Sequence, residues 1–180
     1  MKNLYSLRSH LILLVVLLVT GAATTSCNKI KDAIKVNFGL NYADLNFAIQ
    51  PTSQSTFTTS SSKSSTLQAE LDKNKAAVDK VVLKSVLFEL QAGSASNFGA
   101  ISSGECYLTA NGQSAKLGSF QNPASNTQSI SVTVENGDDL KQYLQASQFT
   151  VELRGTTRQA IQDAMQVKGT IKFEVTGKAK

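Results

Sequence analysis

Apolar and polar residues alternate with a period of two over much of this chain. Ile130, Val132 and Val134 alternate with Ser131, Thr133 and Glu135. Phe149, Val151 and Leu153 alternate with Thr150, Glu152 and Arg154. Val167, Gly169, Ile171, Phe173 and Val175 alternate with Lys168, Thr170, Lys172, Glu174 and Thr176. Such a period puts one set of side chains on a buried face and the other in water. The three runs predict an antiparallel sheet with one wet side, and Gly169 predicts a bulge or a close backbone approach. Nearer the N-terminus, Val36, Phe38, Leu40 and Tyr42 form one run and Leu45, Phe47 and Ile49 another, with Asp44 predicted at a turn between them. Residues 81–90 are more densely apolar, which suits a more deeply buried strand. Cys106 and Leu108 alternate with Glu105, Tyr107 and Thr109, and Asn111-Gly112 follows at once. That pair accepts positive φ at both positions and predicts a hairpin.

Helical signals are few. Asp138 or Asp139 can cap a short helix with Leu140, Tyr143 and Leu144 on one face. Residues 67–78 carry helix formers with Leu67 and Leu71 four apart, and residues 97–101 suit a single turn. The chain is therefore predicted to be all-β: an antiparallel, immunoglobulin-like β-sandwich of seven to eight strands with one or two short helices. Residues 52–66 are almost entirely Ser and Thr. They read either as a flexible or O-glycosylated linker or as an exposed edge strand anchored by Phe57.

Composition narrows the chemistry. With 180 residues, 41% of them hydrophobic, the chain suits one domain with its own core. The single His is His10, Trp is absent, and the cysteines are Cys27 and Cys106. Zinc sites and Cys–His or Ser–His–Asp nucleophiles therefore lack their parts. The nearest approach to a Ser–Lys arrangement, Ser62-Lys63-Ser64-Ser65, lies in the Ser/Thr-rich stretch, and no phosphate-binding GxxxxGK[ST] or GxGxxG sequence occurs. Cys106 shares a strand face with Leu108 and reads as a small buried hydrophobe. Glu135-Asn136-Gly137-Asp138-Asp139 holds three carboxylates without the regular spacing of a calcium loop, and a turn feeding a helix cap uses the same residues. No catalytic, cofactor or metal residue is expected. Tyr42, Tyr107 and Tyr143 are candidates for a binding platform. Tyr107 is the one singled out, because alternation sets it opposite Cys106 and Leu108.

The N-terminus carries the most specific signal. Lys2 and Arg8 precede nine consecutive apolar residues, 11–19, and then Gly21, Ala22, Ala23, Thr24, Thr25, Ser26 and Cys27. Nine residues do not cross a bilayer, which takes about 20, but they suit the core of a cleavable signal. The pattern, ending in Thr24-Thr25-Ser26-Cys27, resembles the bacterial lipoprotein signal peptide, with Thr24 where that family prefers Leu. Relaxed boxes of this kind resemble those of Bacteroidota lipoproteins. The resemblance implies a diacylglyceryl thioether on Cys27 and cleavage by signal peptidase II between Ser26 and Cys27. Two alternatives stay open: an ordinary secretory signal ahead of Cys27, or an uncleaved anchor. The organisation expected is residues 1–26 as signal, 27–33 as a lipid-anchored tether and 34–180 as one β-sandwich domain.

Removing residues 1–26 takes Lys2 and Arg8 from the 18 basic residues and none of the 13 acidic ones, which leaves a formal charge of +3. With no Lys/Arg-rich run, a nucleic-acid partner is not expected. Lys29, Lys31 and Lys35 lie near the anchor, within reach of anionic headgroups. The residues after Cys27 are Asn28, Lys29, Ile30, Lys31 and Asp32, unlike the acidic stretch of surface-exported Bacteroidota lipoproteins, and this points to the periplasmic face of the outer membrane. The second half of the chain, with residues 139–157 its most recognisable stretch, resembles small β-sandwich lipoproteins of that phylum. The expected function is a non-enzymatic, lipid-anchored envelope module whose partners are the membrane and an envelope protein or glycan. The alternatives are a periplasmic carrier of lipid or another apolar ligand and, less favoured, an envelope glycan hydrolase.

Overall fold

The computed structural model describes residues 34–94, 97–123, 126–135 and 137–180. Ser26, Cys27 and the whole signal and tether lie outside the described residues. Among the described residues, eight strands and two short helices follow one another: β1 Lys35–Ile49, β2 Thr56–Ser64, α1 Leu67–Lys73, β3 Ala76–Leu90, β4 Ile101–Ala110, β5 Gln113–Gln121, β6 Ser129–Val134, α2 Lys141–Leu144, β7 Gln148–Thr157 and β8 Met165–Ala179. All neighbours are antiparallel, in the order β1-β8-β3-β6-β5-β4-β7-β2. No described helix is long and apolar enough to cross a membrane.

The protein is all-β, as its alternation predicts. The connectivity, however, is not that of an immunoglobulin domain. The order divides into β1-β8-β3-β6 and β5-β4-β7-β2, and the chain changes sheet at every connection except β4–β5. This is the double-sheet arrangement of a jelly roll. The β4–β5 connection is the Asn111-Gly112 hairpin, with φ of 52° and 74°. β6 joins the two halves: Ser129–Val132 pair with β3, while Thr133 and Val134 pair with β5. It can cross there because position 118 is glycine; a Cβ on Gly118 would stand 2.1 Å from the Thr133 carbonyl oxygen. At the opposite side the free edges of β1 and β2 approach each other, and the Thr59 hydroxyl donates to the Ala48 carbonyl at 3.0 Å. The Ser/Thr-rich stretch is thus an edge strand, and β2 pairs with β7 alone.

In the β1-β8-β3-β6 half, β1 and β3 depart from the simple pattern for one reason. Asp44 is not at a turn. β1 runs straight through it, and Tyr42 and Leu45 oppose Ile171 and Gly169, so the strand holds one residue more than its partner. Asp44 takes φ 59°, as a bulge residue, and its carboxylate sits 2.5 Å from the Lys168 ammonium. The extra residue flips the parity of the inward face, which is why Tyr42 and Leu45 both point inward. A bulge at Lys84 in β3 likewise puts Leu83 and Val86 both inside. The apolar density of residues 81–90 is this parity change superimposed on alternation.

One core lies between the sheets. Phe47 and Phe88 meet edge to face at 5.4 Å, and Tyr42 meets Phe149 at 4.8 Å and Phe173 at 6.0 Å. Across the β2-β7-β4-β5 half, Phe57, Gly155, Gly104 and Phe120 lie in register, so two phenyl rings cover two glycines. The buried Asn122 closes the end of the core beside β4. Its amide donates to the carbonyls of Phe98 (3.0 Å) and Ile101 (2.9 Å), and its own carbonyl accepts from Arg158. Replacing Asn122 by Leu deletes the two side-chain bonds but leaves each carbonyl a second partner. The expected cost is about 2 kcal/mol by chemical denaturation; a loss under about 0.5 kcal/mol would count against this role.

Candidate recognition surface

The outer face of the β2-β7-β4-β5 half gathers Tyr107, singled out by sequence, with charged side chains from β4, β5 and β7. On β4, Cys106 and Leu108 are buried while Glu105 and Tyr107 face out; on β7, Val151 and Leu153 are buried while Glu152 and Arg154 face out. A bulge at Leu117 sets Lys116 opposite Tyr107 and Ser119 opposite Glu105, so both β5 side chains join this face. Tyr107 donates its hydroxyl proton to Glu105 Oε2 at 2.8 Å. The Arg154 guanidinium lies over the Tyr107 ring, 4.3 Å from its centroid, and pairs with Glu152. Lys116 bridges Glu105 at 2.9 Å and Glu135 at 3.0 Å, and Ser119 donates to Glu135.

These contacts set the charges. Lys116 and Tyr107 hold the Glu105 carboxyl below the usual range. Ser119 and Lys116 do the same for Glu135. The two carboxylates push Lys116 up to about 12, and the carboxylate of Glu105 raises the Tyr107 phenol. General acid catalysis by a carboxyl needs the opposite shift. What this cluster offers is fixed charge and oriented hydrogen-bonding groups. Because both glutamate values are lowered, their stabilisation is present above the unfolded carboxylate range and is lost as pH falls through the folded values. Lys116→Met is expected to move both values up towards the ordinary range, as read by NMR titration of the carboxyl carbons. Unchanged values would mean that Ser119 and Tyr107 act without the lysine.

Beside the cluster lies an open hollow of about 460 Å³, lined by Thr56, Thr58, Ser103, Ser119, Gln121 and Thr156 together with Glu105, Lys116 and Arg154. Gly104 and Gly155 also line it. The sequence singled out Tyr107 but did not reveal Lys116, Arg154 or this hydroxyl-rich wall. Their convergence depends on strand order and on the β5 bulge. A three-tyrosine platform does not form: Tyr42 and Tyr143 are buried. Cys106 is fully buried, and burial pushes its thiol up to about 12. Asp139 serves the turn before α2, accepting from the amides of Val81 and Lys141 at 3.0 Å each. Burial alone would raise its pKa, but those amides and the Lys141 ammonium outweigh it and leave the value lowered. Among the described residues, no three His, Cys, Asp or Glu side chains come together as a metal site.

The fold and this face define a jelly-roll sandwich with a charged, hydroxyl-lined outer surface. No family model and no curated protein matches the chain. Among solved structures, the infectious bursal disease virus Gt strain is 12% identical, with a TM-score of 0.41 over 81% of this chain and 33% of that one. Mud crab tombus-like virus is 7% identical, with a TM-score of 0.43 over 81% of each chain. The crystal structure of FLHE is 9% identical, with a TM-score of 0.33 over 81% of this chain and 99% of that one. The chain spans about a third of the length of the infectious bursal disease virus chains that it matches.

Proposed function

We propose that this protein is a lipid-anchored module of the bacterial cell envelope, held by acyl chains on Cys27 and recognising an envelope protein or glycan without catalysing a reaction. The observation that carries this reading is the N-terminal pattern: two basic residues, nine apolar ones and a run of small residues ending at Cys27. Two or more acyl chains give durable attachment where one gives only marginal binding. The outer face around Tyr107 supports the recognition role. Its ionised groups are paired with one another, so a ligand meets a preorganised polar surface, and hydroxyl and amide side chains in the adjoining hollow suit hydrogen bonding to a polar partner. The placement favoured is the periplasmic face of the outer membrane, from the non-acidic residues after Cys27.

The test is the intact mass of the membrane-extracted protein, for wild type and Cys27→Ala. Wild type is expected to begin at Cys27 with a diacylglyceryl or triacyl adduct, and the variant to lose the adduct and leave the membrane fraction. A wild-type chain that begins elsewhere and carries no lipid overturns the reading.

A further inference from the structure

The end of the sandwich where the tether joins β1 is built from lysines that are far apart in sequence. Lys35 opens β1 and lies directly across from Lys178 on β8. The Ala179 amide donates to the Ile34 carbonyl at 3.1 Å, and the Lys180 amide donates to the Lys75 carbonyl at 2.8 Å. The start of β1, the end of β8 and the α1–β3 junction therefore share one surface. It carries Lys35, Lys73, Lys75, Lys80, Lys178 and Lys180, all exposed. The acids beside them are Glu70, Asp72 and Asp79, which pair with Lys73 (3.4 Å), Lys180 (3.7 Å) and Lys178 (3.5 Å), and, next to Lys80, Asp139, which pairs with Lys141 (3.2 Å). Lys35, Lys75 and Lys80 form no ion pair among the described residues, so this end holds a surplus of positive charge. Beside it Ile34 is 52% exposed, the one large apolar side chain so exposed among the described residues.

We infer that this end is a membrane-docking surface for anionic phospholipid headgroups, and that it sets the orientation of the domain on the bilayer. The inference rests on the anchoring proposed for Cys27. Seven residues, 27–33, separate the lipid from Ile34, a reach of at most about 25 Å, so this is the end held nearest the bilayer. Lysines near an anionic surface are each attracted to it, and an exposed Ile beside them suits the headgroup boundary. The opposite end is formed by the connections at Thr52–Ile161 and Ser55–Thr157. The hydroxyl-lined hollow adjoins that end through Thr56 and Thr156. Docking by the basic end therefore leaves the hollow facing away from the membrane.

The experiment uses the acylated mature protein on vesicles of phosphatidylcholine, with and without phosphatidylglycerol, and reads lysine reactivity towards an amine-acylating reagent by mass spectrometry. On the anionic vesicles Lys35, Lys75, Lys178 and Lys180 are expected to react about fivefold more slowly. Lys172, on β8 away from this end, is expected not to change. Salt, or the double substitution Lys35→Glu with Lys75→Asp, should abolish the protection, whereas Lys172→Glu should leave it intact. Equal reactivity on both vesicle types, or equal protection of Lys172, overturns the inference. The intact mass of the same sample reports acylation separately. Should Cys27 prove unmodified, sedimentation of the full chain with the two vesicle types still decides docking: preference for the anionic vesicles upholds it, and no preference sinks it.

Discussion

Gly118→Ala is expected to cost about 3 kcal/mol or more of stability, measured as a lowered urea midpoint with an unchanged slope. The added methyl would lie 2.1 Å from the Thr133 carbonyl oxygen and 2.9 Å from Val132 Cγ1. No rotamer change relieves the first contact, because the atom is backbone. β5 and β6 must separate, and they are joined by only two residue pairs, Gly118–Val134 and Ser119–Thr133. That short seam is where one half of the sheet passes into the other, so both halves lose their register to each other. Gly39→Ala is the matched control. It lies in an outer strand, and its Cβ would meet only the Phe173 carbonyl at an ordinary 3.8 Å. It is expected to stay within about 1 kcal/mol of wild type, and to stabilise if anything, because the unfolded chain loses freedom. Equal midpoints for the two variants would refute the close approach at Gly118.

Tyr42→Ala is expected to cost about 4 kcal/mol, in the range for deleting a buried aromatic ring. The ring touches Phe173 on its own half of the sheet and Phe149 on the other, so its loss opens a void between the layers. Its hydroxyl oxygen also accepts the Thr66 amide proton at 3.0 Å, immediately before α1. Ser65 beside it bonds the Leu144 carbonyl at the end of α2. Tyr42→Phe separates the two contributions. It keeps the ring and leaves the Thr66 amide without that acceptor, for an expected loss of about 1–2 kcal/mol. Similar losses for Phe and Ala would mean that the hydroxyl network, and not the ring, holds the layers together.

Most strands were legible because a half-buried sheet imposes alternation residue by residue. The Asn111-Gly112 hairpin was legible because two adjacent positive φ values require residues of that kind. Asp44 was misread for a physical reason. A change of parity looks the same in sequence whether the chain reverses or bulges, and only pairing with β8 distinguishes them. The tyrosines illustrate the same limit. Tyr42 and Tyr143 have polar tips that suit an exposed surface, but each sits on the inward side of its element. Tyr107 alone of the three faces out, held by Glu105 and Arg154.

By itself the sequence determined that the chain is all-β and where most of its strands run; it left residues 52–66 open between a linker and an edge strand, and its N-terminal pattern ending at Cys27 resembles a lipoprotein signal. These are local matters of side-chain period, turn conformation and peptide processing. The order of the strands, the crossing at β6, the cluster around Tyr107 and the lysine-rich end belong to the tertiary structure alone. Each depends on pairs remote along the chain: Glu105 with Arg154, Lys116 with Glu135, Lys35 with Lys178. In a fold that changes sheet at nearly every connection, neighbours in space are seldom neighbours in sequence. No local pattern encodes them; what selects them is the burial of one shared core.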